Sequence, residues 1–363
     1  MDTSSAPRLE RTRQTAAAAG VDATVVTHLP NVFYLSGFTG SNAALIVLSE
    51  SAHLFTDGRY TIQAREEALG VRVHIVATPL FEACGAFLRQ RARRTSLRTG
   101  FDPAHLSVAE WTRLKKAAGP RVRWKSTAGL VEGLREIKDA DELAIMREAA
   151  KVGSEVMAEV IKLVRPGVTE IELASEIDYR MRRKGAEGVS FESIVASGPR
   201  SALPHARPTA KPLQKSELVV LDLGAILRHY CSDLTRTVYI GRAPGKVRKW
   251  YRAVEQAQQA ALEALHAGAT AGEVDRAARR TLDRSRLGQY FVHSTGHGLG
   301  IEVHETPRLG RKQTQKIRAG NVVTLEPGIY LEGVGGIRIE DDVAVFASSA
   351  EVLTSAPRGL LEL

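Results

Sequence analysis

The chain has 363 residues, 44% of them hydrophobic and 25% charged, and a formal net charge of +9. This length can bury two cores and predicts about two domains, while the lack of any apolar run of roughly eighteen residues excludes a membrane-spanning helix. Two cysteines, Cys84 and Cys231, are too few for a disulfide framework and are read as reduced and buried. The opening "MDTSSAPRLERTRQ" lacks the apolar stretch of a signal peptide, so the expected compartment is the cytoplasm. The basic run "RQRARRTSLR" has no interleaved aromatic residues and is read as the solvated end of a helix, so no nucleic-acid partner is expected.

In chain order, residues 9–28 predict an amphipathic helix that stops at Gly20 and leads into the strand "DATVVTH". Strands follow at "NAALIVLS" and "SAHLFTD", then a helix over "RYTIQAREEALG", a strand at "VRVHIVA" and a helix through "FEACGAFLRQRARR". With the strand and helix of "TSLRTGFDPAHLSVAEWTRLKKAAG", this alternation predicts an N-terminal α/β domain over residues 1–128. A second domain, 129–363, opens near "WKSTAGLVEGLREIKDADE", where Asp139 with Glu142 forms a capping box for a long helix. Thr169 with Glu172, and Thr270 with Glu273, repeat that arrangement at two further helix starts.

The second domain reads as an internal repeat. "LQKSELVVLDLGAIL" and "IRAGNVVTLEPGIYL" align with Asp222 and Glu326 at one position, 104 residues apart. Two copies of one αβ unit predict a pseudo-twofold, largely antiparallel, curved sheet backed by helices. Asp222, Asp233, Glu326 and Glu340, with His297 between glycines, are the candidate ligands, because converging carboxylates need a cation among them. A turn through Gly224 is expected to fold Asp222 back against Asp233, and Arg338 shares a strand face with Glu340. Each residue alone has an ordinary reading as a turn, cap or surface charge; their conjunction at matched points of the repeat argues for a site.

The segments "PHARPT", "VVLDLGA", "YCSDLTRTVYIG", "HSTGHGLGIEVHE", "VVTLEPGIY" and "GIRIEDDVAV" resemble, in order from about residue 140, the metallopeptidases of the pita-bread fold, and among them the Xaa-Pro peptidases. "NVFYLSGFTGSNAALIV" and "FTDGRYTIQA" are similar to the N-terminal domain of the same peptidases. The resemblance implies an α+β chain in which an α/β domain precedes a pita-bread domain. It also implies two divalent ions, with Asp222 on one, His297 and Glu326 on the other, and Asp233 and Glu340 bridging them. His205, His293 and His304 match the family's outer-shell histidines, and Arg338 its arginine beside the last ligand. Glu326 would act as general base and acid, His205 and His304 as catalytic groups, and His205, His293, His304 and Arg338 as substrate-binding groups.

A site of hard oxygens with one imidazole suits Mn²⁺, with Co²⁺ or Zn²⁺ as alternatives. The implied substrate is a peptide with proline at its second position, hydrolysed by a cytoplasmic homodimer without membrane contact. Removal of the N-terminal residue from longer peptides is the main reading, with "SGFTGS" and "TDGRY" pointing to the aminopeptidase branch. An Xaa-Pro dipeptidase is the alternative, and a non-enzymatic pita-bread scaffold the rival from another class. Arg338 has two readings, a clamp for a substrate carboxylate or an orienter of a metal ligand.

Overall fold

The structure is a computed structural model that describes residues 5–363. It divides into two compact units, Met1–Arg135 and Glu136–Leu363. Among the described residues, no helix is long and apolar enough to cross a membrane.

In the first unit, helix α1 spans Ser5–Ala18, and Gly20 at φ +73° turns the chain into β1 (Ala23–Val26). Helix α2 (Leu29–Ser36) follows, with Pro30 in its first turn and Gly37 as a left-handed cap. The sequence reading assigns no element there, because "NVFYLS" is rich in the β-branched and aromatic residues that favour strands. Strands β2 (Ala43–Leu48), β3 (Ala52–Asp57), β4 (Arg72–Val76), β5 (Leu97–Phe101) and β6 (Val122–Ser126) complete a mixed sheet of order β4-β3-β2-β1-β5-β6. Helices α3 (Thr61–Glu67), α4 (Leu80–Arg91) and α5 (Val108–Ala118) connect its strands, and the short α6 (Glu132–Arg135) ends the unit.

The second unit carries the repeat. Helices α7 (Ala140–Ile161) and α8 (Glu170–Arg183) are echoed by α9 (Gly245–Ala264) and α10 (Ala271–Arg284), and the three expected capping boxes all form. In the first half, α7 and α8 bury one apolar face against strands β8 (Ile194–Ser197), β9 (Leu218–Leu223) and β12 (Leu234–Tyr239), with Val156, Met157, Leu173 and Ile177 fully enclosed. In the second, α9 and α10 do the same, Val254 and Val274 packing with Val323 and Val343 of β15 (Val322–Leu325) and β18 (Asp341–Val345). Equivalent loop hydrogen bonds recur: Gly167 N to Leu213 O (3.0 Å) and Gly268 N to Ile317 O (2.9 Å), then Ser216 N to Ile240 O and Gly320 N to Val345 O, both 2.8 Å.

Each half contains one long, interrupted hairpin. In the first, β9 pairs with β12, and in the same register β10 (Ala225–Leu227) pairs with β11 (Tyr230–Cys231). The chain does not reverse at Gly224, as the sequence reading expects, but at Arg228 and His229, both left-handed at φ 47° and 67°. Gly224 marks the interruption instead: a Cβ there would lie 1.9 Å from the Ser232 carbonyl oxygen, so only glycine lets the strands cross that closely. In the second hairpin, β15 pairs with β18, and β16 (Gly328–Leu331) continues the register against β17 (Gly335–Arg338).

These registers correct the expectation that all the candidate residues occupy matched points of the repeat. Asp222 faces Thr235 across the first hairpin, and Glu326 faces Glu340 across the second. Asp222 and Glu326 are therefore equivalent, but Glu340 corresponds to Thr235, and Asp233 to Arg338. On β13 (Gly296–Gly298), Gly298 faces Val323 as Ser197 faces Val219, which makes His297 the counterpart of Ala196.

Candidate metal centre

The candidate ligands gather at the interruptions of the two hairpins. Asp233 directly precedes β12, Glu326 follows β15 and Glu340 precedes β18, so each lies where the ladder opens. Asp222 is the exception, placed within β9. His297 is central to β13, and its flanking glycines are required by the neighbouring backbone: a Cβ on Gly296 would meet Thr324 O at 1.9 Å, and one on Gly298 would meet Thr306 O at 2.2 Å.

Ligand atoms of Asp233, His297 and Glu340 all lie within 4.8 Å of one another. His297 Nε2 is 3.8 Å from Asp233 Oδ2 and 3.6 Å from Glu326 Oε1, while its Nδ1 bonds the Gly298 carbonyl at 3.0 Å. That backbone bond leaves Nε2 as the nitrogen facing the carboxylates. Asp222 joins the group through Arg338, whose Nη2 donates to Asp222 Oδ2 at 2.5 Å. Thr235 links the halves: its hydroxyl donates to Glu340 Oε2 at 2.5 Å and accepts from Arg338 Nε at 3.1 Å.

The electrostatics of this cluster are those of a site built for cations. Burial, reinforced by Glu340, Asp222, Asp342 and Glu326, holds the Asp233 carboxyl well above the usual range. Burial with the charges of Glu326 and Asp222 does the same to Glu340, and burial pushes Glu326 up to about 8. Asp222 Oδ1 and Asp233 Oδ1 are buried and accept no hydrogen bond. Buried carboxylate oxygens without donors are costly, and a shared cation satisfies both the geometry and the charge. Burial depresses the His297 imidazole to about 4, keeping it neutral and fit to ligate.

The other predicted residues surround this core. His293 Nε2 lies 2.8 Å from the Tyr330 hydroxyl, and its Nδ1 is 3.8 Å from Glu326 Oε2. Burial and the Arg338 charge bring its pKa down to about 3. The His304 ring stands edge-on to His297 with centroids 4.4 Å apart. His205, exposed after the short helical turn Gly198–Ala202, is close enough for its charge to bear on both His293 and His304.

Arg338 is buried, and its guanidinium reaches Asp222, Thr235, the Tyr330 hydroxyl (2.7 Å) and the Pro204 carbonyl (3.2 Å). Lysine can offer only a point charge on a flexible stem and cannot span these acceptors. Arg338→Lys is therefore expected to weaken metal affinity about 10- to 100-fold with the fold intact, as chelator competition and circular dichroism would measure. Unchanged affinity would show that the fork does not orient Asp222.

Several supporting residues escape the sequence reading. Asp342 Oδ2 accepts from the Asp233 backbone N–H at 2.9 Å. Asp275, fully buried on α10, accepts from Thr295 N and Oγ1 and is forked by Arg279, which also donates to the carbonyls of Phe291 and His293. This ion pair fixes the segment from His293 towards His297. The i, i+4 spacing of Asp275 and Arg279 is visible in the sequence, but their distant backbone partners are not.

Buried carboxylates with a single imidazole, presented by two related hairpins, have the donor chemistry of a metallohydrolase. The chain belongs to metallopeptidase family M24, which residues 144–347 match, and residues 8–137 match the creatinase/prolidase N-terminal domain. It is 34% identical to the Xaa-Pro dipeptidase of Pyrococcus horikoshii, over 94% of this chain and 95% of that one. Among solved structures, the Xaa-Pro dipeptidase from Bacillus anthracis is similar at 36% identity and a TM-score of 0.94, covering 99% of this chain and 100% of that one. The X-Pro aminopeptidase from Thermotoga maritima is similar at 34% identity and 0.88, covering 96% and 100%. The family implies binding of divalent metal and hydrolysis of peptides.

Proposed function

We propose that the protein hydrolyses Xaa-Pro bonds, releasing the N-terminal residue from peptides with proline second. The observation that carries this is the convergence of Asp222, Asp233, His297, Glu326 and Glu340 in a chain similar over nearly its whole length to Xaa-Pro peptidases. Two ions, Mn²⁺ before Co²⁺ or Zn²⁺, would be held by these five residues, with Asp222 on one, His297 and Glu326 on the other, and Asp233 and Glu340 shared. Bound there, they would lower the pKa of a water and polarise the scissile carbonyl.

The chain's own residues supply the rest. Glu326, ionised once metal is bound, accepts the water's proton and passes it to the leaving nitrogen. His304 and His205 donate to substrate carbonyl oxygens and to charge that develops on them. His293, tied to Tyr330, borders the same space. The imino nitrogen of proline carries no N–H, so the substrate is held through its carbonyls and ring rather than in a strand-like ladder. Arg338 acts as an orienter of Asp222, because four of its five N–H donors are already engaged.

The Xaa-Pro dipeptidase reading stays in play because the Pyrococcus horikoshii and Bacillus anthracis proteins carry that name. A dipeptidase needs a cation for the free proline carboxylate, and the engagement of Arg338 removes the arginine nominated for that task. Cleavage of Ala-Pro-Ala at the Ala-Pro bond is therefore expected to be at least as efficient as cleavage of Ala-Pro, judged by kcat/KM with Mn²⁺ present. Hydrolysis of the dipeptide alone would move the assignment to a dipeptidase. The reading also takes in a homodimer in the cytoplasm, and the two buried cysteines suit that reducing compartment.

A further inference from the structure

Away from the acidic centre, the N-terminal unit gathers a second set of donors with different chemistry. His28 directly precedes α2, His105 ends the short turn Pro103–His105 after β5, and Glu132 opens α6. One atom from each lies within 4.8 Å of the others. His105 Nε2 is 3.3 Å and His28 Nδ1 3.7 Å from the same oxygen, Glu132 Oε1. Two donors on a tetrahedral zinc, each roughly 2.0–2.1 Å from the ion, stand about 3.3 Å apart.

An outer layer fixes these donors. Asn31 Nδ2 donates to Glu132 Oε1 at 2.6 Å, and Arg135 Nη1 holds the Asn31 carbonyl oxygen at 2.7 Å. Thr27 Oγ1 donates to the His105 backbone carbonyl at 2.8 Å. The Asn31 and Arg135 bonds aim the Glu132 carboxylate, as outer partners of a metal ligand do. All three residues are only half-buried, which leaves room for water to complete the coordination.

We propose that His28, His105 and Glu132 form a separate site for a divalent ion that favours imidazole, Zn²⁺ first. Two imidazoles and one carboxylate select Zn²⁺ over Mn²⁺, the reverse of the oxygen-rich centre. The two rings are stacked, with centroids 3.7 Å apart and planes 7° from parallel. Because each nitrogen lone pair lies in its ring plane, binding tilts the rings out of this stack until the lone pairs converge.

The test uses the full chain, stripped of metal and then equilibrated with Zn²⁺ or Mn²⁺, with bound ions counted by native mass spectrometry. The wild type is expected to hold one more Zn²⁺ than Mn²⁺. His105→Gln and Glu132→Gln are each expected to lose that extra ion while keeping the Mn²⁺ count and Mn²⁺-dependent hydrolysis. Zn²⁺ added over saturating Mn²⁺ should raise the Tm of the wild type by several degrees and leave the variants unmoved. Equal Zn²⁺ and Mn²⁺ counts in the wild type, or a Zn²⁺ count unchanged in the variants, would overturn the proposal. Should His105→Gln fail to fold, the isosteric Glu132→Gln carries the comparison.

Discussion

Asp233→Asn and Glu340→Gln are expected to lower hydrolysis by at least about three orders of magnitude, the scale of removing a metal-activated water. The same substitutions should raise, not lower, the Tm of the metal-free protein. In that state Asp233 and Glu340 are buried among other carboxyls and must take up protons that the unfolded chain does not hold, and a neutral amide of the same shape avoids that cost without opening a cavity. Metal content, turnover and Tm measured on one preparation check the argument. Loss of activity with unchanged metal content, or full activity after exhaustive chelation, would defeat it.

The second large effect is on stability against pH in the metal-free protein. Glu326 is ordinarily half-protonated near 4.5 and in the folded site near 8, with Asp233 and Glu340 displaced in the same direction. Between those values the folded chain holds protons that the unfolded chain has released, so stability falls as pH rises. His297 and His293 act oppositely: displaced down from 6.5 to about 4 and about 3, they cost stability as pH falls below 6.5. The two tendencies offset one another below pH 6.5, and above it only the carboxylates act. Chelated protein should therefore lose about 2 kcal/mol through Glu326 between pH 6.5 and 8, at about 1.4 kcal/mol per pH unit, with Asp233 and Glu340 acting in the same direction. With Mn²⁺ bound the carboxylates are already ionised, and the slope should vanish. Parallel melts with and without chelator check this, and a flat profile for the chelated protein would refute it.

Much of this architecture was legible in the sequence because it is written in local signals. Capping boxes at Asp139, Thr169 and Thr270 announce helix starts through side chains three residues apart. The acid-x-Gly positions at Asp222 and Glu326 recur with their β-branched runs. What stayed hidden depends on register. Nothing near Gly224 reports that the hairpin continues to Arg228, because the left-handed tip is made by arginine and histidine rather than by glycine or asparagine. The placing of Thr235 between Arg338 and Glu340, and of Asp342 beneath Asp233, joins residues about a hundred positions apart. Helix α2 was missed for another reason: its strand-favouring residues are overruled by Pro30, Gly37 and the burial of Val32 and Leu35.

The repeat within the second unit has a consequence for the direction in which a peptide can lie. Two identical units about a true twofold axis must carry the same residue at both related points, and a cleft on that axis would accept a chain equally well from either end. Joined in one polypeptide, the units are released from that identity. Asp222 and Glu326 remain alike in charge, but Asp233 stands opposite Arg338, Thr235 opposite Glu340, and Ala196 opposite His297. Each departure from symmetry makes one side of the site chemically unlike the other. A peptide, whose two ends are an amine and a carboxylate, can then be read with a single polarity, which an enzyme that trims from one terminus requires.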